Sequence, residues 1–528
     1  MTNYKNIRIF NRRLGGGNVF ARTYGATTLG VNGVLIDVEV DVSAGFPQFD
    51  VVGLLDTAVK ESKERVRTAI KNSGIQMKAE KVTISLAPAD IRKDSSGLDL
   101  PIAIGLLQGY GIVPMDKTQK CLFAAELSLE GELRGIHGIL PMAIHARERG
   151  LDTMIVSPAN AEEALLVDGL TVYAPRTLAE LVDHLSGRAE CRPSAASPVS
   201  EDETAHGLED FADVQGQFMA KRALEIAAAG GHNVLMVGVP GAGKTMLARR
   251  LPTILPAMTK QEALEVTKIY SISGLLRKNE GLITERPFRS PHHTTSAAAI
   301  IGGGSVPRPG EVTLSHNGVL FLDELPEFGK SVLEVLRQPL EDGIVTVARV
   351  NATLTFPSSM ILVAAMNPCP CGWSGDKEKI CNCTPNEIKR YTRKISGPLL
   401  DRIDIHIRVP RVEFKDLTSV KKAESSASIR ARVTAARNIQ LERLAPYQVF
   451  CNAQMNHATL QKTCELSEGA QKLLEQVFTK MNLSARSYDR IIKVGRTIAD
   501  LDKSQKIEDR HIAEAVQLRN DLGLGIDS

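Results

Sequence analysis

Gly238-Val239-Pro240-Gly241-Ala242-Gly243-Lys244-Thr245 lies between an apolar run, Asn233-Val-Leu-Met-Val237, and a helix-forming one, Met246-Leu-Ala-Arg-Arg-Leu251. It matches G-x-x-x-x-G-K-[S/T] in the order strand, loop, helix, which is the context this chemistry needs. Glycines let backbone N–H groups close around phosphates, so Gly238, Gly241 and Gly243 are expected to form a nucleotide-binding loop. Lys244 would supply a point charge to the β- and γ-phosphates, and the Thr245 hydroxyl would ligate Mg²⁺. ATP and Mg²⁺ are the cofactors expected.

Eighty residues on, Gly318-Val-Leu-Phe-Leu-Asp323-Glu324 reads as a buried strand ending in two acids. Asp323 would hold Mg²⁺ and Glu324 would polarise the attacking water; the bland alternative is two surface acids at a strand end. A further strand, Met360-Ile-Leu-Val-Ala-Ala-Met366, ends in Asn367, placed to orient that water. Strand and helix patterns alternate to about Pro410, the order of a parallel sheet with helices on its faces, and helical patterns dominate beyond it.

The whole chain has 528 residues, 43 % hydrophobic and 24 % charged, enough for about three domains. A net charge of +3 is too small for the chain as a whole to act as a polycation, so nucleic-acid binding would need a local basic surface. The longest near-continuous apolar run, Met360 to Met366, is far short of a membrane span, and the start lacks the apolar core and cleavage site of a secretory signal. No membrane partner and a cytoplasmic location are expected. The domain reading is an extension over 1–19, equally readable as a mis-chosen start codon; an α/β domain over 20–188; a Pro/Ser/Ala/acid-rich linker over 189–206; a nucleotide-binding core over 207–410; and a helical region over 411–528.

Ser396-Gly-Pro-Leu-Leu-Asp401-Arg402, taken with the motifs above, resembles the AAA+ class in its Mg-chelatase-like and replicative-helicase-like branch. The resemblance makes Arg402 the finger that reaches into a neighbour's site, with local pairing to Asp401 or Asp404 as the rival reading. It makes Arg486 the lid arginine that senses the γ-phosphate, with Arg490, one helical turn later, as competitor. The stretch Phe288-Arg-Ser-Pro-His-His-Thr-Thr-Ser296, Gly302–Gly304 and Arg308-Pro-Gly-Glu311 resembles the ComM/YifB family, competence-linked Mg-chelatase-like ATPases, across residues 20–525. That resemblance implies a homo-oligomeric, hexameric ring helicase that migrates branched DNA in transformation or recombination.

Arg289 and Arg308 would offer phosphate contacts within a pore element that Gly302–Gly304 make mobile. Gly343 to Phe356 alternates like a hairpin, and Arg349 near its turn is expected to touch DNA; the alternative is a solvated tip. His292 and His293 have no acidic partner nearby in the sequence and read as packing or capping residues.

Four of the eight cysteines, Cys369, Cys371, Cys381 and Cys383, crowd into fifteen positions. Nine residues separate the two C-x-C pairs, enough to bring four thiolates around a structural Zn²⁺, although the usual zinc spacing is C-x-x-C. Four free thiols or an iron–sulfur cluster are the other readings. Trp373, the sole tryptophan, lies inside this loop.

Arg92-Lys-Asp-Ser95-Ser96-Gly97-Leu-Asp-Leu-Pro resembles the Lon protease domain around its nucleophilic serine, with Ser95 or Ser96 nearest that position. The segment that would carry the activating lysine, Gly135-Ile-His-Gly-Ile-Leu140-Pro, places Leu140 there, and a leucine accepts no proton. The expected fold class is therefore α/β: a Lon-protease-like, non-proteolytic amino-terminal domain, an AAA+ parallel-sheet core and a carboxy-terminal helical lid. An ATP-driven DNA motor competes with a Mg-chelatase-like chaperone that remodels a protein partner. The metal-ion motif D-x-S-x-S that such a partner carries is absent from this chain.

Overall fold

The computed structural model describes residues 19–53, 57–90, 93, 96–195, 209–277, 281–304, 307–349, 352–376, 378–412, 423–481 and 483–520. Ser95, most of the 1–19 extension and most of the expected linker fall outside them. Two compact units are present, one of residues 1–200 with 263–283 and one of residues 201–262 with 284–528.

The first unit is built on a seven-stranded mixed sheet. Its strands are β1 (Val19–Leu29), β2 (Asn32–Ser43), β3 (Gln48–Val52), β4 (Lys81–Ala87), β5 (Cys121–Ala124), β6 (Thr153–Val156) and β7 (Thr171–Tyr173), in the order β3-β4-β2-β1-β5-β6-β7. The alternating text of β2 puts Ile36, Val38, Val40 and Val42 on the buried face, as period-two patterning requires. Helices α1 (Thr57–Asn72) and α2 (Asp99–Gly109) pack together, and α2 is buried on every side. This is the mixed α/β domain expected.

Helix α3 (Ile139–Glu148) starts at Gly138, which has no side chain to cap the exposed N–H groups. Glu163 caps it from another segment, its Oε1 accepting from the Leu140 N–H at 2.7 Å. A helix from between the two nucleotide motifs, Lys260–Ser273, completes the arrangement. Its Ser271 carbonyl accepts from the Gly138 N–H at 3.2 Å, and its Ser271 hydroxyl donates to Glu163. Burial holds the Glu163 carboxyl above the usual carboxylate range, offset in part by these donors. Ala263, Val266 and Ile269 bury the apolar side of the inserted helix. The sequence reading assigned these residues to the nucleotide-binding core, whereas residues 263–283 group with the amino-terminal unit.

The second unit carries an all-parallel five-stranded sheet. Strand β8 (Val234–Val237) leads to helix α4 (Lys244–Ile254), followed by β9 (Phe288–Arg289), β10 (Val319–Leu322), helix α5 (Arg337–Asp342), a hairpin of β11 (Ile344–Arg349) and β12 (Ala352–Pro357), β13 (Ile361–Met366) and β14 (Ile405–Arg408). Sheet order is β9-β10-β13-β8-β14. Strands β8, β10 and β13 are buried at every residue, which explains their near-continuous apolar text. Lid helices α6 (Ser426–Leu444), α7 (Ala485–Leu501) and α8 (Asp509–Asn520) share one hydrophobic core with the sheet, through Val433, Ile491, Ile498 and Ile512.

Candidate active site

Strand β13 lies between β8 and β10, so the carboxyl ends of all three meet at one edge. Ligands of open parallel sheets bind at that edge. Gly243 precedes α4 at φ +89°, a conformation glycine adopts without steric penalty, and leaves the helix without a side-chain cap. The first N–H groups of α4 are therefore available to an anion, which the helix dipole favours. Gly238 is needed for close approach, since a Cβ there would lie 2.4 Å from the Val409 carbonyl oxygen.

Lys244 is buried and donates from Nζ to the carbonyls of Gly238 (2.6 Å) and Val239 (3.2 Å) and to Asn367 Oδ1 (3.1 Å). Burial lowers its ammonium from the ordinary lysine range, with Asp323 and Glu324 pulling the other way. Thr245 Oγ1 donates to Asp323 Oδ2 at 2.8 Å, and Asp323 Oδ1 accepts from the Glu324 N–H at 2.9 Å. A hydroxyl and a carboxylate side by side form an oxygen donor set of the kind Mg²⁺ takes, next to a cation and an uncapped helix start suited to phosphates. The residues present thus fit both ATP and Mg²⁺.

Glu324 sits at φ +53° with its side chain 54 % exposed. A non-glycine residue in this conformation is uncommon and concentrates at functional sites. The turn points it toward His293, whose Nδ1 is 3.4 Å from Glu324 Oε2. The sequence reading gave the histidine pair no acidic partner; chain folding supplies one from thirty-one residues away. The His292 and His293 rings lie 4.1 Å apart, and His293 meets the edge of Phe328.

The arginines separate clearly. Arg402 is almost fully buried, donating to the Pro398 carbonyl at 2.7 Å and pairing with Glu341 on α5. The local partners expected for it, Asp401 and Asp404, are not the ones found. Arg486 is exposed, and its nearest acid is the same Glu341 at 3.8 Å. Glu341, which no spacing singled out, thus bridges both arginines, and they hold its carboxyl below the usual range, Arg402 foremost. Arg490 is committed elsewhere, to buried Asp404 and to the Arg402 carbonyl.

Among the expected DNA contacts, Arg289 is engaged by Glu311 through two bonds of 2.7 and 2.8 Å, so a phosphate would have to displace a bidentate carboxylate. Arg308 is exposed on a two-residue strand paired with Gly302–Gly303. Arg349 closes the hairpin, opposite Ala352. In the first unit, Ser96 donates to Glu126, and Leu140 is fully buried.

The sulfurs of Cys369, Cys371, Cys381 and Cys383 all lie within 4.8 Å of one another. Separations are 3.3 Å (Cys369–Cys371), 3.6 Å (Cys371–Cys381) and 3.7 Å (Cys369–Cys381). A tetrahedral ion with bonds of about 2.3 Å sets its sulfurs about 3.8 Å apart. The Trp373 backbone N–H, foremost among several donors, lowers the Cys371 thiol to about 6. Sulfur separations of this size suit one thiophilic ion.

The magnesium chelatase subunit ChlI model matches residues 210–417, a second ChlI model residues 38–160, and the ChlI carboxy-terminal model residues 423–519. The chain is 42 % identical to the competence protein ComM of Haemophilus influenzae over 94 % of its own length and 97 % of ComM. It is 42 % identical to the YifB protein of Escherichia coli K12 over 93 % of its length and 95 % of YifB. Lon protease 2 of Bacillus subtilis matches 29 % of the chain at 25 % identity. With ChlI-type matches over most of its length and near-complete alignment to ComM and YifB, the chain belongs to the ComM/YifB family of Mg-chelatase-like AAA+ proteins, which are of ATPase type.

Proposed function

We propose that this chain is an ATP-driven, ring-forming motor that moves branched DNA, in recombination or in the uptake of transforming DNA. The observation that carries the reading is the β11–β12 hairpin, which runs into the sensor strand β13 within three residues. The hairpin joins the amino end of β13 and Asn367 follows its carboxyl end, so a single strand links the two. Near full-length likeness to a protein named for competence supports the setting.

ATP would bind with its phosphates on the Gly238–Gly243 loop and Lys244, and Thr245 and Asp323 would hold Mg²⁺. Mg²⁺ held by Thr245 and Asp323 would supply neutralisation of phosphate charge. Glu324 accepts the proton of the attacking water, and Asn367 holds that water in line. Arg402 of a neighbouring copy stabilises the developing charge, and Arg486 follows the γ-phosphate from the lid. Both arginines must leave Glu341 to do so. A trans arginine requires an assembly, for which a ring of six is the form we favour. Zinc is the ion we assign to the four thiols.

Steady-state ATP hydrolysis without DNA, with single strands and with four-way junctions tests the reading, with Lys244→Ala as the blank. Stimulation greatest with junctions is expected. Hydrolysis indifferent to every DNA would overturn it in favour of a protein-remodelling ATPase. In the same series, Arg349→Ala should weaken DNA binding for all sequences and lower the slope of log K against log salt by about one; an unchanged slope removes Arg349 from the interface.

A further inference from the structure

We infer that the four-thiol site is a clamp on the sensor residue Asn367, so that its metal governs ATP turnover; this rests on the ATPase and zinc readings above. Asn367 follows β13 directly, and its Oδ1 accepts from Lys244 Nζ at 3.1 Å. Two residues on, Cys369 is fully buried, and its sulfur accepts from the Ser374 N–H at 3.3 Å. The outgoing leg of the cysteine loop is therefore anchored beside the sensor.

Gly372 then turns the chain at φ +86° against the phosphate loop. A Cβ at this position would lie 2.8 Å from both Cδ and Cγ of Pro240. The backbone of the cysteine loop thus touches the loop that carries the nucleotide phosphates. Trp373 packs on the hydrophobic core of the ATPase unit, with Lys379 and Arg411 over its ring at 4.1 and 5.2 Å.

The return leg comes back to the same residue. Cys381 and Cys383 lead into Thr384, which caps the helix Pro385–Thr392 in a reciprocal box with Glu387. That helix carries Tyr391, buried, whose hydroxyl is pushed up to about 12 by burial while the backbone N–H of Asn367 pulls it down. One leg reaches Asn367 through the chain and the other through Tyr391, and the four sulfurs are the place where the two legs meet. A thiophilic divalent cation there cross-links them. Without it, the loop between the C-x-C pairs keeps its local turns and the ion pairs of Asp376 and Glu378 with Arg411, but the two legs lose their direct link and the sensor its fixed orientation.

Binding of the cation displaces the remaining thiol protons to solvent, with no change of oxidation state. The site has four protein ligands and no open position, so it acts through Asn367 and not on the nucleotide.

The test uses the full chain. Zinc content by elemental analysis should be one per chain in wild type and near zero in Cys381→Ser. The same variant should show red-shifted Trp373 emission, bind a fluorescent ATP analogue within about threefold of wild type, and lose turnover by about tenfold or more. Cys381→His, which restores a fourth ligand of another type, should regain both zinc and turnover. If Cys381→Ser does not fold, chelation of wild type followed by zinc re-addition replaces it, with emission and turnover falling and recovering together. Absence of zinc in wild type would overturn the metal assignment. Loss of zinc from Cys381→Ser with turnover unchanged would leave the metal assignment standing and overturn the clamp.

Discussion

Glu324→Gln should bind ATP as wild type does and hydrolyse it slower by about 10²- to 10⁴-fold, the range set by removing a positioned general base. The amide keeps the volume and the turn of the carboxylate. It takes no proton, so only the chemical step is removed. Three observations support this residue as the proposed base: it follows Asp323, which is bonded to Thr245; its backbone is in a conformation few non-glycine residues hold; and its carboxylate is exposed at the open edge of the sheet. His293 Nδ1 lies 3.4 Å from that carboxylate. A filter-binding or fluorescence titration beside a phosphate-release assay separates the two effects. Turnover within threefold of wild type would sink the assignment.

Arg490→Ala should destabilise the ATPase unit by about 3–5 kcal/mol at neutral pH, because it leaves the buried Asp404 carboxylate without its principal counter-charge. Asp404 also accepts from His232 Nδ1 (3.2 Å) and the Asn233 N–H (3.3 Å), tying the residues ahead of β8 to the start of β14, while Arg490 brings in α7. Burial alone would raise its carboxyl; the Arg490 guanidinium, with His232, holds it well below the usual range. A depressed carboxyl contributes stability that is present above its unfolded value of about 4 and is lost as pH falls through the folded value. In the variant that depression disappears, so the stability difference from wild type should be greatest near pH 7 and shrink toward pH 4. Urea unfolding at the two pH values reads it. Arg486→Ala, 59 % exposed with no closer acid than 3.8 Å, should leave the midpoint unchanged and slow turnover instead. Equal destabilisation by both would remove the distinction between the phosphate sensor and the structural arginine.

The nucleotide site was legible in the sequence because its geometry is local: strand, glycine turn and helix start occupy adjacent positions, and each acid or amide closes a buried apolar run. The seven-stranded sheet showed itself through the alternation of β2 for the same reason. What spacing does not encode is pairing between distant segments. Arg490 and Arg486 are equivalent on a helical turn, and only the arrival of Asp404 from β14 assigns one to structure. Glu341 carries no motif, yet two arginines converge on it. Arg289 looked free for phosphate until Glu311 came alongside. The cysteines announced a cluster, but their link to Asn367 through Tyr391 depends on a fold-back that no local pattern records.

The helix Lys260–Ser273 has a consequence for how the molecule can be taken apart. The chain passes between its two units three times, near residues 200, 262 and 283, so the units are nested rather than strung in series. A fragment begun at the linker would keep this helix but lose Gly138 and Glu163, the two partners of Ser271. A fragment ended at the linker would keep α3 with half of its cap missing. Neither piece is a free-standing module, and the contributions of the two units are separable by point substitution, not by scissors.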